Sequence, residues 1–199
     1  DAKAVWKHTP GTSWRKPGYA GPHEIRDDHP VVHVSYSDAQ AFCRWLGRDF
    51  RLPTEAEWEW ACRAGSAARF AWGAEEDTTG KVVNAGDRSL QRVQPEWPRK
   101  TMPMDDGHPF AAPVGSFRPN AFGLHDLLGN VWEFCATRHG SYPAEPSTDP
   151  GDLGTQESFD VRGGGWSNEP HDVRCAARNS DPPRFGHSNL GFRVAMNLP

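Results

Sequence analysis

The sequence predicts one compact, loop-rich domain with an aromatic core and little regular helix or sheet. The 199 residues suit a single domain, residues 1–199, and they include 20 Gly, 18 Pro and 9 Trp. A chain so rich in glycine and proline could be disordered. Disordered chains, however, are poor in large aromatic side chains, and each buried tryptophan contributes much apolar area. A folded domain with a sizeable core is therefore the better interpretation.

Charge and hydropathy exclude two classes of partner. The formal net charge is −4, from 22 basic and 26 acidic residues. Such a balance provides no polycationic surface, so we expect no nucleic-acid partner. No apolar run approaches the roughly 20 residues of a membrane-spanning helix, so we expect no membrane span.

Two helices are predicted by matching signals at both ends. The segments Ser37–Gln40 and Thr54–Glu57 are capping boxes, in which a hydroxyl and a polar side chain satisfy free amides at a helix start. Apolar residues follow each box at the spacing of one helical face. Gly47 and Gly65 then end the two helices.

Two groups of carboxylates could carry chemistry, and both have a plainer explanation. The second helix begins with acids at Glu55, Glu57 and Glu59, which capping and solvation explain because acids favour the first turns. Adjacent carboxylates beside a glycine, at Asp105–Gly107, suit a loop that binds a hard cation. An ordinary acidic turn is the alternative, and the residues alone leave this open.

The C-terminal stretch Val161–Val194 has the character of a presented surface. It begins near three glycines, Gly163–Gly165, and closes with the β-prone Gly191–Val194. Two irregular polar runs lie between them, Ser167–Asp172 and Asn179–Asn189. Loops held on a fixed frame are a usual way to present a binding or reactive surface. Common catalytic signatures, such as GxSxG, HExxH and the P-loop, are missing from the chain.

Five motifs then resemble one family, the formylglycine-generating enzymes or sulfatase-modifying factors. They are HPVVHVS at His29–Ser35, RLPTEAEW at Arg51–Trp58, GNVWE at Gly129–Glu133, RGGGW at Arg162–Trp166 and SNLGFR at Ser188–Arg193. The resemblance implies a single α+β domain with little regular structure, related to the C-type-lectin fold. It also implies calcium sites and a surface cleft formed largely by the C-terminal loops.

The resemblance implies a copper-dependent oxidation, but this chain lacks the cysteines that would bind the copper. Active members oxidise a cysteine of a nascent sulfatase to formylglycine with molecular oxygen and a copper ion held by two cysteines. Those cysteines follow the glycine turn in a pattern like GGSYxCxxxxC, whereas Gly163–Asp172 here contains none. Cu(I) needs soft thiolate ligands, so we expect no copper and a non-catalytic member of the family.

Two calcium sites are implied by the positions that match the family's ligands. The first set is Asn84, Ala85, Asp106 and His108, and the second is Asp126, Gly129, Val131 and Glu133. Carboxylates and backbone carbonyls are the hard oxygen ligands that calcium prefers. Calcium is therefore expected as a structural cofactor.

Two further expectations concern the compartment and the start of the domain. Cys62 and Cys175 match a structural disulfide of vertebrate members, and an oxidised pair would favour an exported or periplasmic location. The compartment is otherwise open. The family domain also begins with a strand-rich segment before the part that matches Thr9–Arg15. Either the chain is a processed fragment or another polypeptide completes the domain.

The leading hypothesis is a domain that binds a protein or small-molecule ligand through its terminal loops. The candidate contacts are Trp166, Ser167, Asn168, Glu169, His171, Arg178, Asn179, Asp181, Phe185, His187 and Asn189. A related hypothesis is a variable protein of a diversity-generating retroelement, which uses this fold and diversifies this region. The rival hypothesis is a metal-dependent oxidase or oxygenase related to the formylglycine-generating enzymes.

Overall fold

Short helices and strands are joined by long irregular segments. The structure is a computed structural model that describes residues 9–20, 23–145 and 157–198. In these residues the elements are α1 Tyr36–Leu46, β1 Phe50–Arg51, α2 Glu55–Arg63, α3 Arg88–Val93, β2 Trp132–Arg138, β3 Phe159–Arg162, β4 Arg178–Asp181, β5 Leu190–Phe192 and β6 Ala195–Met196. This mixed, loop-rich arrangement confirms the predicted α+β class.

The main sheet brings together distant parts of the C-terminal half. Its strand order is β4-β3-β2-β5. The β2–β3 and β3–β4 pairs are antiparallel, whereas β5 lies parallel to β2, with Trp132 opposite Leu190. A separate small sheet pairs β1 with β6, with Phe50 opposite Met196. The chain after β3 therefore leaves the sheet at the glycine turn and returns to both of its edges.

Helix α1 begins earlier than the sequence predicts. Its N-cap is Ser35, and the capping box is formed with Asp38, so the predicted cap at Ser37 is wrong. Tyr36 explains the shift, because its amide donates to the carbonyl of Pro183 and its side chain is buried. Gly47 ends the helix as predicted.

Helix α2 follows its predicted signals closely. Thr54 and Glu57 form the expected capping box. The helix ends at Arg63, where Ala64 adopts the left-handed conformation and Gly65 follows with φ 84°. Along its inward face Trp58 is 1% exposed, and this residue belongs to a core cluster with Phe70, Leu127 and Val173.

Helix α3 was not predicted. Asp87 caps it, with its carboxylate accepting from the amides of Ser89 and Leu90. At six residues this helix is too short to show the apolar periodicity on which sequence reasoning depends. Among the described residues, no helix has the length and apolar character needed to cross a bilayer.

Candidate functional site

The glycine turn is a tightly packed corner. Gly163 has φ 99°, and a Cβ atom there would lie 2.7 Å from the carbonyl oxygen of Leu127. Gly164 has φ 75°, and a Cβ atom there would lie 2.5 Å from Val173. Both positions therefore need glycine for conformation and for space. The turn fixes the path of the chain from β3 into the terminal loops.

Four of the predicted surface contacts lie in the interior instead. Trp166, Ser167, Asn168 and Asn189 are each 6% exposed or less. The polar character of this stretch predicts that these side chains face a ligand, and their burial shows that this prediction is wrong. Three of the four are polar, so their burial requires hydrogen-bond partners within the protein.

Asn168 forms several of the hydrogen bonds in this buried polar group. Its side-chain oxygen accepts from the amide of Gly165 at 3.1 Å and from the indole of Trp132 at 2.9 Å. Beside it, the side-chain amide of Asn189 donates to the hydroxyl of Ser167 at 2.7 Å. These bonds link the glycine turn to β2 and to the chain before β5. The polar residues after the turn therefore hold the loop frame together.

Trp166 belongs to an aromatic cluster that the sequence did not reveal. Its ring meets Tyr19 and Phe110 edge-on, with ring centroids 5.5 and 4.9 Å apart. The indole of Trp166 and the hydroxyl of Tyr19 both donate to the carbonyl of Ser188. Burial raises the pKa of Tyr19, so the hydroxyl stays protonated and remains a donor. Tyr19 lies in a segment without periodicity, which gave no signal of its role.

The other predicted contacts are Glu169, His171, Arg178, Asn179, Asp181, Phe185 and His187, of which His171, Asn179 and Phe185 are exposed and the rest are partly buried. Phe185 is 50% exposed, and its ring lies 5.6 Å from that of His187. The His187 ring also approaches Asp181 at 3.5 Å. His171 pairs separately with Glu169 and Asp172, at 3.4 and 3.1 Å. The structure therefore brings three of the seven together at the turn after β4.

Arg178 is part of a buried ionic network and not a free surface contact. It pairs with Asp160 at 3.1 Å and with Glu55 at 3.4 Å. Arg162, which is fully buried, pairs with Glu55 at 3.2 Å. Glu55 also accepts from the hydroxyl of Tyr142 at 2.6 Å. The prediction that Glu55 is a solvated cap is wrong, because two arginines from the sheet turn it inward.

The first predicted calcium site contains oxygens that fit a cation. The side-chain Oδ1 of Asn84 and the Oδ2 of Asp106 are both buried without a hydrogen-bond partner among the described residues. Burial, and then the neighbouring Asp87, raise the pKa of Asp106 to about 8. A hard cation would supply the missing partner for such oxygens. Ala85 is fully buried, and the amide of His108 donates to Asp106 at 2.7 Å.

The second predicted site fits in part. The Oδ1 of Asp126 is buried without a partner among the described residues, and burial raises the pKa of this carboxyl. Asp126 lines a cavity of about 620 Å³ with Val131 and Glu133. Glu133, however, already accepts from Trp58 at 2.7 Å and from Arg193 at 2.6 and 2.7 Å. Asp126 therefore suits a cation, whereas Glu133 has one lone pair left for it.

The residues after the glycine turn do not fit copper. Ser167 and Asn168 are buried and engaged, and the segment has no thiol. Cys62 and Cys175 are buried elsewhere, with sulfurs 3.1 Å apart as unbonded thiols. Two metal–sulfur bonds of about 2.3 Å at a tetrahedral angle would hold two sulfurs roughly 3.8 Å apart. Among the described residues, no three His, Cys, Asp or Glu side chains are grouped to hold a metal.

The glycine turn, the buried asparagines and the loop-rich α+β frame together define a scaffold domain of the formylglycine-generating-enzyme type. The sequence profile described as "Sulfatase-modifying factor enzyme 1-like domain" matches residues 1–198. The chain belongs to this family. This confirms the resemblance inferred from the five sequence motifs.

Relatives in the family include active and inactive proteins. The chain is 42% identical over 199 residues to a "Formylglycine-generating enzyme" from Streptomyces coelicolor, covering 96% of this chain and 60% of the relative. It is 36% identical over 204 residues to an "Inactive C-alpha-formylglycine-generating enzyme 2" from Mus musculus, covering 96% and 57%. The chain therefore spans about 60% of the length of these two relatives.

Solved structures confirm the fold. PvdO from Pseudomonas aeruginosa superposes with a TM-score of 0.74 and 32% identity, covering 90% of this chain and 66% of that one. Treponema denticola variable protein 1 superposes with a TM-score of 0.69 and 22% identity, covering 94% and 78%. The second likeness is one of fold alone.

Proposed function

We propose that the domain is a non-catalytic binding module that binds a protein ligand through β4 and the turn after it. One observation carries the proposal: residues Trp166–Asn168, directly after the glycine turn, form a buried, hydrogen-bonded frame, and Gly163–Asp172 contains no thiol. Ser167 and Asn168 each have their side chains engaged inside the protein. A frame of this kind positions a loop, and it offers no ligand for a soft metal.

The exposed part of the segment favours a protein ligand over a small molecule. Phe185 presents half of its side chain to solvent beside His187, with Asn179 exposed on β4. Neither the cavity of about 1310 Å³ nor that of about 620 Å³ is lined by residues 167–189. Small molecules usually bind in concave sites, whereas an exposed aromatic beside polar groups is typical of a protein interface.

The relatives supply two precedents, each a property of the other protein. One relative is named as an inactive formylglycine-generating enzyme, and one structural neighbour is named as a variable protein. Diversification of this chain would be supported if sibling copies differed at adenine-containing codons for the exposed residues of 167–189 while the four buried positions stayed constant. Unchanged siblings would remove that hypothesis.

Calcium has a structural role in this proposal. The unpartnered oxygens of Asn84 and Asp106 would hold one ion, and that of Asp126 would hold a second. Each ion would neutralise a buried carboxylate in the segments that precede β2. Metal analysis of purified protein should find calcium without stoichiometric copper or iron.

Binding through the turn after β4 is tested by site-specific photocrosslinking. A benzophenone amino acid is placed at Phe185 and, as a control, at Trp45, which is 76% exposed on α1. In the source cells we expect a discrete protein adduct from position 185 and none from position 45. Equal adducts from both positions, or none from position 185, would contradict the proposal.

The absence of catalysis needs its own assay. Purified protein is supplied with Cu(I), oxygen and a cysteine peptide derived from a sulfatase, and the peptide is examined for an aldehyde. We expect the thiol to remain unchanged. Aldehyde formation, or stoichiometric copper or iron in the protein, would establish the oxidase hypothesis instead.

A further inference from the structure

The outer edge of β4 is an open edge of the main sheet. The strand order β4-β3-β2-β5 places β4 at one end, with β3 as its only neighbouring strand among the described residues. The four residues of β4 pair with Phe159–Arg162 without a register shift. In an antiparallel pair, alternate residues direct their amides and carbonyls toward the partner strand, and the others direct them away. Two of the four residues of β4 therefore present these groups outward.

The hydrogen bonds of the sheet identify which residues face which strand. The Trp132 amide donates to the Asn189 carbonyl just before β5, so the backbone of Trp132 faces β5. Its neighbour Glu133 therefore faces the other way, toward β3. Glu133 lies opposite Arg162, so Arg162 faces β2 and the preceding Val161 faces β4. Val161 is thus a residue whose backbone bonds join β3 to β4.

The same alternation continues into β4. Asn179 lies opposite Val161, so its amide and carbonyl point back to β3. Those of Arg178 and Ser180 therefore point away from the sheet. Within residues 9–20, 23–145 and 157–198, these outward groups have no hydrogen-bond partner. Asn179, between the two outward residues, is exposed. The edge thus presents two amide donors and two carbonyl acceptors in a row.

Several devices that close a sheet edge are missing from β4. Natural edges are blunted by proline, by a bulge or by charged side chains beside the backbone. The strand contains no proline, and its pairing has no bulge. The Arg178 side chain turns inward to Asp160 and Glu55, at 3.1 and 3.4 Å. Asp181 pairs with His187. The charges of β4 are therefore engaged within the chain, and they do not call for a charged ligand.

An exposed aromatic side chain flanks each face of this edge. Tyr142 is 55% exposed, and the Arg178 guanidinium lies over its ring, 4.2 Å from the centroid. Asp181 lies on the opposite face from Arg178, because side chains alternate along a strand. The His187 ring, which pairs with Asp181, lies 5.6 Å from that of the half-exposed Phe185. Successive side chains of an added strand would therefore meet Tyr142 on one face and Phe185 on the other.

We propose that the protein ligand of this domain binds as an extended, apolar segment that adds a strand to the outer edge of β4, at Arg178 and Ser180. The inference rests on the proposed function, because it specifies how the surface at β4 holds its ligand. Backbone hydrogen bonds align the segment, as in other cases of strand addition, and Tyr142 and Phe185 contact its side chains. The ligand segment has no proline at the positions that face β4, since these positions must donate a hydrogen bond.

The test combines the benzophenone amino acid at Phe185 with substitutions at Ser180. Ser180→Pro removes an outward amide and places a ring where the added strand would pair, but it removes no bond to β3. Ser180→Ala is the matched control, because it loses the hydroxyl and keeps the amide. We expect the adduct yield to fall at least about fivefold in Ser180→Pro, the equivalent of one lost backbone hydrogen bond, and to stay unchanged in Ser180→Ala.

A measurement on the ligand makes the test independent of the folding of Ser180→Pro. Mass spectrometry of the adduct locates the crosslinked partner segment, which is then synthesised as a peptide with N-methyl groups on alternate amides. Methylation of the amides that face β4 should abolish binding to the wild-type chain. Methylation of the other alternate amides should leave binding intact.

Three results would contradict strand addition in different ways. An undiminished adduct in Ser180→Pro, or equal binding by both methylated peptides, would overturn strand addition and leave the surface at β4 as the binding site. A crosslinked segment that maps to a second copy of this chain would overturn it in favour of self-association. No adduct from position 185 in the otherwise unchanged chain would overturn both this inference and the proposed function.

Discussion

At the residue scale, Glu133 joins three separate parts of the chain. It lies in β2, accepts from the Trp58 indole of α2 and holds the Arg193 guanidinium that follows β5. The carboxylate is 6% exposed, so its interactions operate largely away from water. A buried charge that loses its partner costs much more than an exposed one. Glu133 therefore stabilises the fold through these hydrogen bonds, whether or not it also binds calcium.

Replacing Glu133 by Gln should lower the free energy of unfolding by about 2–3 kcal/mol, because Arg193 would lose its ionic partner. Glu57→Gln is the control, since Glu57 forms an exposed pair with Arg51 and should cost less than about 1 kcal/mol. Urea unfolding in EDTA measures both without a contribution from calcium. Equal effects would mean that the buried pair adds nothing beyond a surface pair.

Asp106 predicts an unusual dependence of stability on pH. Its pKa is raised to about 8 in the folded protein, by burial first and then by Asp87, from the ordinary 3.8. The folded state therefore keeps this proton while the unfolded state releases it. In EDTA, the contribution of Asp106 is fully present below about pH 4 and is lost as the pH rises through about 8.

The difference between wild type and Asp106→Asn, followed by thermal or urea unfolding, isolates this contribution. Saturating calcium should reverse the loss, because the ion replaces the proton on the carboxylate. Asp105→Asn is the control, because Arg92 lowers the pKa of the exposed Asp105. The stability that Asp105 contributes is therefore present above about pH 4 and is lost only as the pH falls below that value. If the difference in stability between wild type and Asp106→Asn did not change with pH, the raised pKa of Asp106 would be contradicted.

At the element scale, α1 shows how a tertiary contact selects between two starting points. Ser35 and Ser37 are both good N-cap residues, and the sequence favours Ser37 with Gln40. The helix starts at Ser35 because Tyr36 is buried and its backbone amide donates a hydrogen bond to the Pro183 carbonyl. This contact also connects α1 to the turn after β4, so the frame of the proposed binding surface includes the start of this helix.

Removing the two hydroxyls separately tests that choice. Ser35→Ala should lower the free energy of unfolding by about 1 kcal/mol, because the Asp38 amide loses its acceptor. Ser37→Ala is the matched control; its exposed position within the first turn should change stability by less than about 0.5 kcal/mol. Chemical denaturation distinguishes the two outcomes. A larger effect at Ser37 would restore the start that the sequence predicts.

At the scale of the whole molecule, Cys62 and Cys175 join the two halves of the chain. They lie 113 residues apart in sequence, and their sulfurs are 3.1 Å apart in the core. Both thiols are buried beside Trp58 and Leu127. A covalent bond between them would close a long loop in the unfolded chain, which is the situation in which a cross-link has its largest effect.

Oxidation should therefore link Cys62 to Cys175 and raise the free energy of unfolding by about 3–5 kcal/mol. Peptide mapping by mass spectrometry identifies the bond, and reduction should return the stability to its starting value. Cys62→Ser should abolish the effect, whereas Cys43→Ser should retain it. A bond mapped to any other pair would contradict this expectation.

Much of the fold could be predicted from the sequence, because the signals lie in short stretches of neighbouring residues. The box at Thr54 with Glu57 fixed the start of α2, and the five family motifs fixed the fold. The inward orientation of Glu55 was not predictable, because Arg162 and Arg178 come from strands more than 100 residues away. Its position in the first turn of a helix suggested solvation.

The sequence by itself determined the family, the loop-rich α+β class and the lack of thiols in Gly163–Asp172, because these depend on residue identity and short-range order. Only the tertiary structure decided which terminal-loop residues face water. Trp166, Ser167, Asn168 and Asn189 look like surface residues in a polar run, yet partners from β2 and Tyr19 draw them inside. The cavity of about 1310 Å³ likewise exists only because α1, α2 and residues 192–196 are brought together. Burial depends on what packs against a residue, and those partners are distant in the sequence.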